Sequence, residues 1–110
     1  MKIEVFKTEG GHFRFRLKAN NGQIILASQN YANKAGARNG AESVLKNAGN
    51  PDLYDRKEAK DGKPFFNLLA ANKQTIATSQ LYASKDSLEK GIKAVMKAAE
   101  EGADIVEIEA

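Results

Sequence analysis

The chain is one unit written twice. When Phe13 to Ala48 is laid over Pro64 to Ala99, a shift of about fifty-one residues, fifteen of thirty-six positions agree. Among them are Phe15/Phe66, Leu17/Leu68, Ser28/Ser79, Tyr31/Tyr82, Gly40/Gly91 and Val44/Val95. Self-similarity at a fixed period marks repeated supersecondary units. The halves run from about 1 to 52 and from about 53 to 110. Upstream of the aligned window the shift reads as about fifty, with the turn Ala59-Lys60-Asp61-Gly62-Lys63 one residue longer than its counterpart around Gly10-Gly11.

Each half begins with three short strands. His12 to Lys18 alternates apolar and basic residues, the period-two signature of a half-buried strand. Ile3 to Phe6 precedes it, and Gln23 to Ala27 follows Asn20-Asn21-Gly22, which reads as a two-residue hairpin turn. Leu53 to Glu58, Pro64 to Ala70 and Gln74 to Thr78 take the same parts in the second half, with Asn72-Lys73 as a weaker turn. A helix then closes each half. Asn33 and Ser84 stand at N-cap positions. Ala37, Ala41, Val44, Leu45 and Ala48, like Leu88, Ile92, Val95, Met96 and Ala99, form one apolar stripe. Gly49-Asn50-Pro51 and Glu101-Gly102 end the helices. Asp104 to Glu109 alternates again, with Val106 and Ile108 on one side, and reads as a last strand pairing with Met1 to Lys7.

Composition narrows the function classes. A chain of 110 residues suits one domain, and the absence of Cys excludes disulfides, thiolate metal sites and a cysteine nucleophile. His12 is the only imidazole, so histidine-pair metal sites and most Ser-His-Asp arrangements cannot be assembled. Carboxylates such as Glu42, Asp55, Glu58, Asp86 and Glu89 lie scattered among Lys and Arg, and no phosphate-cradling Gly-rich loop occurs. The residues therefore point away from an enzyme and call for no catalytic residue, cofactor or metal. No apolar run is long enough to span a bilayer, and the charged amino end does not read as a secretory signal, so a cytoplasmic location and no membrane partner are expected. The net charge of +3 is too mild to name a polyanion as partner.

Four features invite a functional reading. Arg14, Arg16 and Lys18 share one side of their strand, a stripe that either meets phosphates or is an ordinary solvated face, the reading that weighs more. Phe65, Asn67 and Leu69 fall in register with them in the second half, so an uncovered sheet face would present an apolar patch for a partner or for self-association, unless curvature, a bulge or long neighbouring side chains cover it. The duplicated Ser-Gln-x-Tyr-Ala between third strand and helix suggests a symmetric polar site, but a sheet-to-helix corner demands the same residues for structure. Gly40 and Gly91, each costing about 0.8–1 kcal/mol inside a helix, suit a close helix–sheet approach over Tyr31 and Tyr82.

The paired pattern resembles the YegP-like family of small bacterial tandem-repeat proteins. It is carried by Phe15-Arg16-Leu17-Lys18-Ala19 with Asn21-Gly22, Ser28-Gln29-Asn30-Tyr31 and Gly40. In the second half it is carried by Gly62-Lys63-Pro64-Phe65-Phe66, Ala70-Ala71-Asn72, Ser79-Gln80-Leu81-Tyr82 and Gly91. The resemblance implies two units sharing one sheet and exchanging their final strands; it implies no activity. The expectation is an α+β protein of two β-β-β-α-β repeats, one antiparallel sheet with two helices on one face. The expected role is a non-enzymatic binding or protein-interaction module using the open face, in a monomer or weak homodimer, its partner a protein or small ligand. The alternative is weak nucleic-acid or polyanion binding through Arg14, Arg16 and Lys18. An enzyme needing a cofactor or partner chain ranks third.

Overall fold

Every hairpin inside a repeat uses the same three-residue turn. In the computed structural model, which describes residues 1–108, Thr8, Ala19, Ala59 and Ala70 each donate their N–H to the carbonyl four residues on, and each accepts from the N–H three residues on. The third turn residue is left-handed in all four: Gly11, Gly22, Gly62 and Lys73, with φ of 82°, 86°, 83° and 70°. This is a type I turn followed by a left-handed residue, and two expectations change with it. Asn20-Asn21-Gly22 is a three-residue loop, not a two-residue one. Thr8–His12 and Ala59–Lys63 match residue for residue, so the repeat shift is fifty-one throughout and neither turn is longer. In three turns an Asn or Asp side chain stiffens the loop by accepting the N–H two residues on, from Asn21 to Gln23, Asp61 to Lys63 and Asn72 to Gln74. Where Gly10 offers no side chain, Thr8 Oγ1 accepts from the His12 N–H instead.

These turns build strands β1 (Lys2–Lys7), β2 (Phe13–Lys18) and β3 (Ile24–Ser28), then β4 (Tyr54–Glu58), β5 (Pro64–Leu69) and β6 (Thr75–Ser79). With β7 (Asp104–Glu107) they form one seven-stranded sheet in the order β4-β5-β6-β3-β2-β1-β7. All pairings are antiparallel except the last: β7 joins β1 parallel, with Lys2 opposite Asp104 and Val5 opposite Glu107. The sheet is therefore mixed, because β7 arrives by a helical crossover and not by a hairpin. The expected pairing of first and last strands is present. Ile108 still donates its N–H to the Val5 carbonyl at 2.9 Å; Glu109, expected in this strand, lies outside the described residues. Ile105 packs against the core, while Val106 pairs beside Glu4.

Helices α1 (Lys34–Asn47) and α2 (Lys85–Glu101) begin where the sequence places their caps. Asn33 accepts from the Gly36 N–H, and Ser84 forms a reciprocal box with Ser87. Gly102 ends α2 in the left-handed conformation. The buried stripes are Ala37, Gly40, Ala41 and Val44 in α1, and Leu88, Ile92, Val95 and Ala98 in α2. Leu45, Met96 and Ala99, expected in the stripes, are only partly buried. Both helices cover the sheet face that carries Phe15, Leu17, Phe66 and Leu68, and one core forms between the layers. At 1.5–3 kcal/mol per fully buried large side chain, as a rough scale, these residues are the main source of stability. No helix among the described residues is long and apolar enough to cross a membrane.

The strand after each helix lies in the other half: β4 beyond β5, and β7 beyond β1. The exchange is unequal, however. β4 also serves as the first strand of its own repeat, so β1 carries a neighbour on its outer edge, whereas among the described residues β4 has none.

Candidate interaction face

The side of the sheet away from the helices bears the residues singled out from sequence. Ladder partners share a face, so Glu4 opposite Arg16 and Phe6 opposite Arg14 place Arg14, Arg16 and Lys18 on the uncovered side. Asp55 opposite Asn67 and Lys57 opposite Phe65 do the same for Phe65, Asn67 and Leu69. The two groups lie on separate halves of the face, with β3 and β6 between them.

On the first half the basic stripe closes around one carboxylate, which offsets part of its charge. Glu4 is only 4% exposed, with Arg16 Nε 2.8 Å from its carboxylate, Lys2 Nζ at 3.5 Å and Lys18 Nζ at 3.6 Å. Burial on its own pushes the carboxyl up. The hydrogen bond from Arg16 and the charges of Arg16, Lys18 and Lys2 together outweigh that, and the group sits below its ordinary value. Arg16 also stacks over the Phe6 ring, 4.5 Å from its centroid. Arg14 turns the other way and donates twice to the Ser28 carbonyl, at 2.6 and 2.9 Å. The stripe is present, but each of its three cations already has an internal anion or carbonyl. Glu4 has no place in the sequence pattern of the stripe because it lies on the neighbouring strand; the three-residue turn centred on Gly10 sets it opposite Arg16.

The second half is nearly neutral. Thr78 Oγ1 donates to Asn67 Oδ1 at 2.8 Å, and Phe65 and Leu69 are half-buried. The patch is thus partly covered and partly open. The most exposed apolar residue on this face is Ile24, at 41%, which no sequence pattern singled out. It turns outward because β3 carries a bulge: Leu17 faces Leu26 but Lys18 faces Ile24. Ile25 and Leu26 are then both buried in succession. β6 repeats the bulge, burying Ile76 and Ala77 together.

The duplicated corners are structural. Ser28 Oγ accepts from the Phe15 N–H and donates to the Gln29 carbonyl, while Ser79 does the same with Phe66 and Gln80. Each hydroxyl thus uses its proton and one lone pair within the corner. Tyr31 stacks on Phe15 and Tyr82 on Phe66, with ring centroids 6.3 Å apart in each pair, and burial pushes both phenols up. Gly40 and Gly91 lie directly over these tyrosines. A Cβ on Gly40 would stand 2.5 Å from Tyr31 Oη and 2.9 Å from Phe15 Cε2, and one on Gly91 would overlap the Tyr82 hydroxyl. Among the described residues, no three His, Asp or Glu side chains converge as a metal site would require.

A two-layer α+β domain of paired repeats, open on one sheet face, is the class these features define. The chain belongs to the family described as "Domain of unknown function (DUF1508)", whose model matches it twice, over residues 9–55 and 59–107. It is 50% identical over 106 residues to the UPF0339 protein in the ptx operon 5′ region of Stutzerimonas stutzeri, covering 96% of this chain and 95% of that one. It is 46% identical over 93 residues to the UPF0339 protein YegP of Escherichia coli K12, covering 84% of each chain. The solution NMR structure of a UPF0339 protein from Shewanella oneidensis superposes with a TM-score of 0.89 at 42% identity, over 98% of this chain and 91% of that one. The solution NMR structure of yegP from E. coli, titled a protein of unknown function, gives 0.87 at 40% identity, over 99% and 93%. The YegP-like resemblance read from the repeats is thereby shown, and the family is one whose function is unknown.

Proposed function

We propose that the chain is a non-enzymatic interaction module that binds another protein through the open sheet face, on the half built by β5, β6 and β3. The observation that supports this reading is the division of the face. Cations crowd one half, where Glu4 and the Ser28 carbonyl engage them, while the other half presents Phe65 and Leu69 beside neutral Asn67 and Thr78, with Ile24, opposite Lys18, at the boundary. A weakly charged surface with apolar centres suits protein contact. The same division takes support away from the polyanion reading, since phosphate would have to displace Glu4 from Arg16 and Lys18.

Immobilised wild type and the Phe65→Glu/Leu69→Lys variant, matched in melting temperature, test this against native lysate with quantitative mass spectrometry. Proteins retained by the wild type and lost from the variant are expected; identical retention would overturn the reading. Sedimentation of both forms over a range of concentrations shows whether the partner is a second copy. Salt-titrated binding to random-sequence RNA and DNA decides the alternative: affinity that falls steeply with salt would restore the polyanion reading.

A further inference from the structure

Among the described residues, the outer edge of β4 lacks the neighbour that its counterpart β1 has in β7. Repeat positions differ by fifty-one, so Tyr54, Asp55 and Arg56 correspond to Ile3, Glu4 and Val5. In an antiparallel strand the main-chain groups face alternately toward and away from the neighbour. The outward carbonyl of Val5 receives the Ile108 N–H, in line with the parallel β1·β7 ladder. The matching groups of Tyr54, Arg56 and Glu58 face outward with no strand beside them among the described residues.

Charge repeats the pattern. Where β7 meets the first half, Glu107 lies 3.6 Å from Lys34 and 3.5 Å from Arg38 of α1. The equivalents of those cations in α2 are Lys85 and Glu89. Glu89 is held by Arg56 through two hydrogen bonds of 2.6 and 2.8 Å, while Lys85 makes no ion pair among the described residues. A groove of about 540 Å³ runs between this edge and the start of α2, lined by Arg56, Lys57, Glu58, Lys85, Leu88 and Glu89, with Pro64 at its side. Lys57 projects to the open face, where Asp55 lies 3.5 Å away, and Arg56 is taken by Glu89, so Lys85 is the groove's cation with no ion-pair partner among the described residues.

We propose that the β4 edge takes an extended segment of a partner polypeptide, which adds as an eighth strand parallel to β4, as β7 does to β1. Main-chain hydrogen bonds to Tyr54, Arg56 and Glu58 hold it. An apolar residue lies beside Tyr54, and an acidic residue two places later lies beside Arg56, within reach of Lys85. This pattern is that of β7, where Ile105 sits beside Ile3 and Glu107 beside Val5. The site is the sheet edge and does not depend on the open face.

The probe is a blocked synthetic peptide with the sequence of residues 102–108, Gly-Ala-Asp-Ile-Val-Glu-Ile, titrated into the isotopically labelled full chain. Saturable amide shifts at Tyr54, Arg56, Glu58 and Lys85 are expected, with slowed hydrogen exchange of the Arg56 and Glu58 amides. The Lys85→Glu variant should bind at least about tenfold more weakly, because a like charge then meets the peptide carboxylate. A peptide carrying lysine in place of its glutamate should not bind the wild type. The Phe65→Glu/Leu69→Lys variant should bind normally, so that this proposal and the open-face reading fail separately. Shifts confined to Ile3 and Val5, where the peptide would compete with the resident β7, would overturn the proposal. So would binding indifferent to both charge changes, binding lost in the face variant, or concentration-dependent protection of β4 without peptide, which would name a second copy as the occupant.

Discussion

Ala27 and Thr78 hold the same position in their repeats and lie opposite one another across the β3·β6 ladder. The pseudo-two-fold axis passes between them, and the third strands of both halves pair at the centre of the sheet. A duplicated unit that leaves one strand edge bare can bury that edge against its twin, which removes an aggregation-prone template. The arrangement also makes repeat-equivalent residues internal controls for one another.

The turns supply the first such control. Lys73 adopts φ 70° where the other three hairpins place glycine, a conformation that costs an L-residue about 1 kcal/mol. Lys73→Gly should raise stability by about 0.5–1 kcal/mol, the gain being trimmed by the greater freedom of glycine in the unfolded chain. Gly22→Lys should lower it by a similar amount. Urea denaturation of both variants checks the opposite signs.

Glu4 should govern both acid stability and anion binding. Its carboxyl lies below its unfolded value near 4.5, so its contribution is fully present above that pH and is lost as pH falls below it through the folded value. Glu89, lowered first by its hydrogen bond from Arg56, acts in the same direction with solvent screening. Glu4→Gln should cost about 1–2 kcal/mol at pH 7, less than a fully buried pair because its cations remain partly solvated. The difference from wild type should shrink as pH drops below 4.5. The same variant frees Arg16 and Lys18, so salt-sensitive polyanion affinity should rise. Denaturation at stepped pH and a heparin-column elution profile read the two effects.

The helical glycines should resist even a methyl group. Gly40→Ala should destabilise by about 1–3 kcal/mol through overlap with Tyr31 and Phe15. Gly91→Ala should cost at least as much, since its Cβ meets the Tyr82 hydroxyl. Replacing Tyr82 by Phe in the Gly91→Ala background should recover part of the loss, a positive coupling in a double-mutant cycle. Additive losses would move the clash elsewhere.

Removing β7 should be far more damaging than its four-residue length suggests. Truncation before Asp104 strips the partner from the β1 edge, uncovers Ile3 and Val5, and deletes the ion pairs from Glu107 to α1. The shortened chain should lose cooperative melting near physiological temperature. An unchanged calorimetric transition would show that β1 is held by β2 alone.

Much of this was legible because it is local. The alternation Phe13-Arg14-Phe15-Arg16-Leu17-Lys18 sorted core from open face correctly, and the caps at Asn33 and Ser84 fell where hydrogen-bonding side chains precede apolar stripes. Gly40 and Gly91 pointed to close packing because a close helix–sheet approach offsets the cost of a glycine inside a helix. The bulges were not legible: Ile24-Ile25-Leu26 gives no local cue as to which isoleucine turns outward, since that depends on the register with β2. The carboxylate inside the basic stripe lies out of local view for a related reason: Glu4 stands on the neighbouring strand, and its place opposite Arg16 follows only from the β1·β2 register.

The sequence by itself determined the repeating unit, its strand and helix periods and the two faces of each element, because side-chain direction follows backbone geometry within a few residues. Only the tertiary structure decided that β7 joins β1 parallel, that Glu4 pairs with Arg16 and Lys18 of β2, and that β4 keeps an open edge among the described residues. Those outcomes depend on which distant strands come side by side and in what register. The two halves could not settle them identically, since one strand serves as the end of the first and the beginning of the second.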